Sequence, residues 1–355
     1  MRNGDLRSKV NRWARWAAFF IAAGSTVGSV HISAAQDTPL LSGGVGFFTS
    51  TNGGSTSYQP HIEPLIAAPI GSSLLVEGRG ILQEEFSPNG GDQPGYSHSH
   101  LASLLYLQGD YLATPHLTVV AGSYLIPFNT YNDRLSEIWI ENFQDAPLTV
   151  GIGTLNTGTG LGGMLSGNAA SNSKFSFSYN AWFSARSGNM YFNSERSSGG
   201  RGSLYLPKAR LELGFSYDRA LQGTHENFFG THVWWEPKDT GLRVRSEYSR
   251  GQHAQGYWIE GDYRTHAFGG PDNWVGRFEP VFRIAQTFRI DNLASDGVSS
   301  VNTQRADFGI DYNLPHEVRI LTSYGRQFTA THDVNIWETG IVYRFLFPAW
   351  KGKAN

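Results

Sequence analysis

The chemistry-bearing residues of this chain fall into a few weak constellations and one recurrent pattern. Gly158-Thr-Gly-Leu-Gly-Gly163 matches the dinucleotide-binding pattern GxGxxG. No βαβ unit surrounds it and no helix begins there, so nothing would aim backbone N–H groups at a pyrophosphate. His98-Ser-His100 offers two imidazoles from one strand face, but no third ligand stands beside them, and the pair reads as solvated loop. Glu84-Glu85 and the neighbours Glu260 and Asp262 supply paired carboxylates, which glycoside hydrolysis uses but which a polar wall carries equally well. No Ser-His-Asp set or nucleophile elbow stands out. With no Cys, there is no disulfide framework and no thiolate metal site. The expectation is a chain without catalytic residues, metal or cofactor.

What recurs is charge placed at every second residue. By parity Arg210, Arg243, Arg245, Arg264, Arg277, Arg283, Arg289, Arg305, Arg319 and Arg344 share strand faces with Glu212, Asp218, Glu247, Glu260, Asp262, Glu279, Asp307, Asp311 and Glu338. Charged side chains lining a passage set which ions enter it. Ten bases against nine acids is near balance, which predicts salt-bridged walls and a general passage, not strong anion preference. Arg277, Arg283 and Arg289, in phase at intervals of six, would form a basic stripe or, more simply, a wall paired with acids on neighbouring strands.

The elements that position these residues follow from the same alternation, because successive strand side chains point to opposite faces. From Gly241 to Arg250, Leu242, Val244 and Tyr248 share one face while Arg243, Arg245, Glu247 and Ser249 share the other. The segments 43–50, 59–67, 72–86, 100–113, 116–128, 174–185, 204–220, 227–236, 255–266, 275–291, 304–314, 317–328 and 335–347 read the same way, separated by Gly, Pro, Asn and Asp clusters. Pro60, Pro64 and Pro69 make the second of the chain's strands the least regular. Residues 129–172 are rich in Gly, show little alternation, and read as a long loop that either enters the pore or lies outside it.

Two faces of opposite polarity ask for two solvents. The chain is 40% hydrophobic and 14% aromatic but only 16% charged, and it contains no apolar run of the roughly 20 residues a membrane helix needs. Its apolar face is rich in Phe, Tyr and Trp. This combination points to an all-β protein, a closed antiparallel transmembrane β-barrel, since an unpaired sheet edge in hydrocarbon costs several kcal/mol for each polar group. Residues 1–35 read as a signal peptide: Arg2, Arg7, Lys9, Arg12 and Arg15 form a basic head, and Ser33-Ala34-Ala35 a small-residue cleavage site. The remainder, 36–355, reads as one domain with formal charge −6 after loss of those five bases and one acid, which excludes nucleic acid as a partner. At about 20 residues per strand this predicts roughly 16 strands, with 14 as the alternative, and a water-filled lumen.

Leu117-Thr-Val-Val-Ala-Gly-Ser-Tyr-Leu-Ile-Pro-Phe128 resembles the strand with a Pro-Phe turn found in the porin O and P family of phosphate-selective-type outer-membrane porins. Leu242–Tyr248 with Gly256–Arg264, and Phe308–Pro315 with Val318–Ile320, are similar to that family's late strands. The resemblance implies a 16-stranded, trimeric channel in the bacterial outer membrane that passes small hydrophilic solutes or ions, with a long loop folded into the lumen. Two departures stand out. Between the leader and the tail the only lysines are Lys174, Lys208 and Lys238, so no lysine ladder for phosphate is visible, and the chain continues past Phe347 instead of ending on it. The competing classes are an outer-membrane barrel enzyme and a secreted, soluble β-rich glycan-binding protein.

Overall fold

The computed structural model describes residues 38–89, 94–152, 158–189, 193–223, 225–270, 273–291 and 297–348. The predicted leader at 1–35 lies outside them. Sixteen antiparallel strands follow one another round a closed barrel: β1 (Leu40–Asn52), β2 (Ser55–Ile70), β3 (Leu74–Pro88), β4 (Tyr96–Thr114), β5 (Leu117–Leu125), β6 (Thr159–Ser171), β7 (Ser176–Ser184) and β8 (Ser197–Leu206) form the first half. The second half is β9 (Leu211–Ala220), β10 (Asn227–Trp235), β11 (Leu242–Arg250), β12 (Ala254–Tyr263), β13 (Phe278–Arg289), β14 (Thr303–Leu314), β15 (Val318–Thr329) and β16 (Asp333–Pro348). Each strand pairs with its sequence neighbours, and β16 pairs with β1 from Leu40↔Pro348 to Asn52↔Ile336, which closes the ring and leaves no terminal edge strand. A short helix, α1 (Tyr131–Arg134), lies between β5 and β6; a second, α2 (His266–Gly269), and a 3-10 turn (Val275–Arg277) lie between β12 and β13.

Three sequence expectations need correction. The 204–220 segment is not one strand: a turn at Pro207–Arg210 divides β8 from β9, and Arg210 takes φ +49° there. The loop expected over 129–172 runs only between Leu125 and Thr159, because β6 occupies its last part. His98 and His100 lie on strand β4 and not in a loop.

The outward face is apolar. Val45, Phe47, Ile62, Leu213, Phe215, Ile259, Phe282, Phe308 and Ile341 are all exposed. Aromatic pairs mark both ends of this belt: Tyr217–Phe229 (5.3 Å) and Tyr324–Trp337 (4.5 Å) at one rim, Phe278–Tyr312 (4.8 Å) and Phe345–Phe347 (5.5 Å) at the other. Such girdles flank the hydrocarbon band of membrane barrels. The inward face is the reverse: Arg79, Arg245, Arg283, Glu247, Asp262, Asp307 and Glu338 are buried.

Candidate functional site

After Leu125 the chain leaves the wall and turns into the barrel. Its apolar residues have no periodicity because they pack against the wall at several separate places. Ile126, Phe128 and Ile152 join Val120, Tyr124, Trp182 and Phe228; Ile138 and Trp139 meet Phe48, Leu321 and Val342; Tyr131 and Leu135 meet Trp258 and Ala285. The loop therefore touches β1, β15 and β16 as well as β12 and β13. At Gly230 of β10 a Cβ would stand 2.3 Å from Asn129 Oδ1, so any larger residue there would have to displace the Asn129 side chain.

Polar bonds fix the loop along its length. Arg201 of β8 clamps Asp133 with both terminal nitrogens (3.0 and 2.8 Å) and also donates to the Asn129 carbonyl. One oxygen of Glu247 on β11 accepts from Thr130 N (2.6 Å), Thr130 Oγ1 (2.6 Å) and Tyr131 N (2.7 Å), and its other oxygen accepts from Trp258 Nε1 (3.1 Å). Arg134 reaches Glu212 on β9 (3.0 Å). Arg79 on β3 pairs with Glu63 (2.8 Å) and donates to the Ser136 carbonyl (2.6 Å). Asn142 donates to Glu260 (3.0 Å), Asp145 pairs with Arg305 (2.6 Å), and Arg319 donates to the Glu141 carbonyl.

On the wall itself, register lines up Glu212, Trp234, Arg245, Glu260, Arg283 and Asp307 across β9 to β14 in a single row. Arg245 pairs with Glu260, and Arg283 lies 3.9 Å from Glu260 and 3.5 Å from Asp307, with the Phe143 ring 4.5 Å from its guanidinium. Arg243 joins Asp262 (2.8 Å) and Glu279 (3.2 Å), Arg305 joins Asp307 (2.6 Å) and Glu338 (3.4 Å), and Arg319 joins Asp311 (3.8 Å). Thus Glu212, Arg243, Arg245, Glu247, Glu260, Arg283, Arg305 and Arg319 are brought together on one inner wall.

The other predicted pore-lining arginines are elsewhere. Arg210 in the β8–β9 turn, Arg264 just past β12, Arg277 in the 3-10 turn and the exposed Arg344 near the end of β16 all sit at one rim, and Arg289 ends β13 at the opposite rim. Arg277, Arg283 and Arg289 consequently form no stripe: Arg277 precedes the strand, and Arg283 stands between two acids.

The loop also decides which part of the lumen stays open. Between Tyr131, Phe143, Arg245, Trp258, Glu260 and Arg283 the remaining space is only about 10 Å³, barely one water. On the loop's other side a cavity of about 320 Å³ is lined by Glu77, Tyr106, Gln108, Asp133, Arg134, Glu137, Asn180 and Arg201. Arg245 and Arg283, read from the sequence as lining the passage, therefore lie against the narrow space, and the wider cavity is bounded by β3–β8 and the loop. Sequence reasoning missed Arg79 and Arg201; both stand in Gly-Arg-Gly tripeptides, Gly78–Gly80 and Gly200–Gly202, the one local signal they share.

Glu141 gives the loop a pH response. Burial pushes its carboxyl up to about 8, the charge of Glu63 adding to this, while the Tyr131 hydroxyl, which donates to it, and Arg283 and Arg79 oppose. The folded state then holds a proton that the unfolded chain gives up near 4.5. Stability should fall as pH rises from there to about 8 and level off beyond. Thermal unfolding midpoints in detergent across this range are expected to show that slope, and Glu141→Gln is expected to make it shallower.

Elsewhere the candidate motifs have structural positions. Gly158–Gly163 leads into β6 and begins no helix. Glu84 and Glu85 point to opposite faces of β3; Glu84 pairs with His98, whose ring stacks on Phe86 at 4.8 Å. Among the described residues no group of three or more His, Cys, Asp or Glu is arranged to hold a metal.

No protein-family model and no curated protein matches the chain. Solved structures do. Salmonella typhi OmpF, in complex with daunomycin, superposes with TM-score 0.59 at 12% identity over 87% of this chain and 98% of that one. The anion-selective porin from Comamonas acidovorans gives 0.55 at 12% identity over 87% and 100%, and Pseudomonas aeruginosa OccK7 (OpdD) gives 0.50 at 12% over 89% and 100%. At such identities the likeness is one of architecture, and the chain has the closed 16-stranded barrel fold of outer-membrane porins.

Proposed function

We infer that this protein is a passive channel of the bacterial outer membrane, admitting small hydrophilic solutes or ions through a water-filled barrel that the inward loop narrows. The observation that carries this reading is the inversion of polarity: apolar side chains and aromatic girdles outside, ion pairs and an open polar cavity within. A soluble sandwich would bury its aromatic face, and here that face is exposed. The resemblance to the porin O and P family supports export by a cleaved leader at 1–35 and assembly as a homotrimer.

The test is reconstitution. Purified protein is expected to fractionate with the outer membrane, to migrate faster on gels before heating than after, and to give discrete conductance steps in planar bilayers. Solubility without detergent would favour the secreted glycan-binding class, and a folded barrel without conductance would favour an enzyme.

A further inference from the structure

The charges that reach the open side of the loop are not balanced as the whole wall is. Resting on the channel reading above, we propose that this passage prefers cations, from alkali ions to small organic ammonium ions, and that Glu77 and Asp110 set the preference. The bases near the cavity are committed. Arg201 is held by Asp133 at 2.8 Å, Arg134 by Glu212 at 3.0 Å, and Arg79 by Glu63 at 2.8 Å and Glu137 at 3.6 Å. Across the loop, Arg243, Arg245, Arg283, Arg305 and Arg319 each face a carboxylate, and Arg245 and Arg283 line the narrow space beneath the loop.

Glu77 and Asp110 differ from all of these. Glu77 lines the cavity from β3, and the Asp110 carboxyl of β4 is hydrogen-bonded to that of Glu77, so that the two share a proton and hold a net negative charge between them. The amide of Gln108 donates to Asp110 at 3.0 and 3.2 Å. Neither acid forms an ion pair with any described Lys, Arg or His, although all the surrounding carboxylates named above do. A fixed negative potential at a narrowing between low-dielectric walls concentrates counter-ions and repels co-ions. The near equality of bases and acids along the strands therefore misstates the selectivity, because the paired charges cancel where they stand and the negative charge held by this carboxyl pair has no base beside it.

Reversal potentials in planar bilayers under a potassium chloride gradient test this, using the full chain, Glu77→Gln, Asp110→Asn, the double variant, and Glu84→Gln on the outward face as control. The wild type and the control are expected to show potassium preferred over chloride. Each single variant should move the reversal potential part of the way toward zero, and the double variant should lose the preference while keeping its conductance steps. Choline chloride in place of potassium chloride should give the same ordering. A wild type without cation preference, or a conducting double variant that retains it, overturns the inference. Absence of conductance steps from the wild type would instead sink the channel reading and this inference with it.

Discussion

Arg79→Ala should be among the most damaging single substitutions in the protein. The Arg79 side chain is 1% exposed and its partner Glu63 is nearly as deep. Removing the guanidinium leaves a buried carboxylate with His61 at 3.1 Å and the Ile138 N–H at 3.4 Å but no arginine beside it, and breaking a buried pair from one side typically costs about 3–5 kcal/mol. The loop loses an anchor at the same time, since Arg79 also holds the Ser136 carbonyl, Ser136 Oγ (3.3 Å) and Glu137. The expected readouts are a lower heat-modification temperature on gels and noisier, larger conductance steps. Arg79→Lys should recover part of the stability but not the quiet trace, because one ammonium cannot reproduce the fork that reaches β2 and the loop together. An unchanged melting temperature for Arg79→Ala would refute the anchoring role.

The second large effect is expected on the outer face. Ile259 lies mid-strand on β12, 47% exposed, opposite Ser246 on β11 and Ile284 on β13. Ile259→Arg should destabilise the barrel in bilayers by about 2–4 kcal/mol, the cost of placing a guanidinium at the hydrocarbon midplane. If that face met water, the same change on an exposed strand would lie within about 0.5 kcal/mol. Reversible denaturant unfolding in lipid vesicles separates these outcomes, and a near-zero value would invert the assignment of faces.

The late strands were legible because each carries aromatics on one parity and charges on the other; Phe308, Ile310 and Tyr312 against Arg305, Asp307 and Asp311 is a representative case. β6 and β8 were not. Their sequences, Thr159–Ser171 and Ser197–Leu206, are so rich in Gly and Ser that little side-chain contrast remains, and only the pairing of neighbours identifies them as strands. The site was harder still. Parity assigns a residue to the inner face but cannot say whether a loop covers it, so Arg245 and Arg283 read as lining the passage when they lie against the narrow space beneath the loop. Ile138, Trp139 and Phe143 showed no period because they answer to distant strands of the wall, Ile138 and Trp139 to Leu321 and Val342 and Phe143 to Arg283, and not to one face of a local element. The placement of Arg210 and Arg277 at a rim has a simpler cause: a turn or a 3-10 segment resets the alternation on which their facing was counted.

The inward loop ties Arg79 and Arg201 on one side of the ring to Glu247 and Arg305 on the other. It works as a cross-member, holding opposite staves at a set distance when the surrounding bilayer squeezes or thins. Excising it would not merely give a wider hole: the cylinder would be free to ovalise, and the bore would then follow lateral pressure instead of being fixed by the chain.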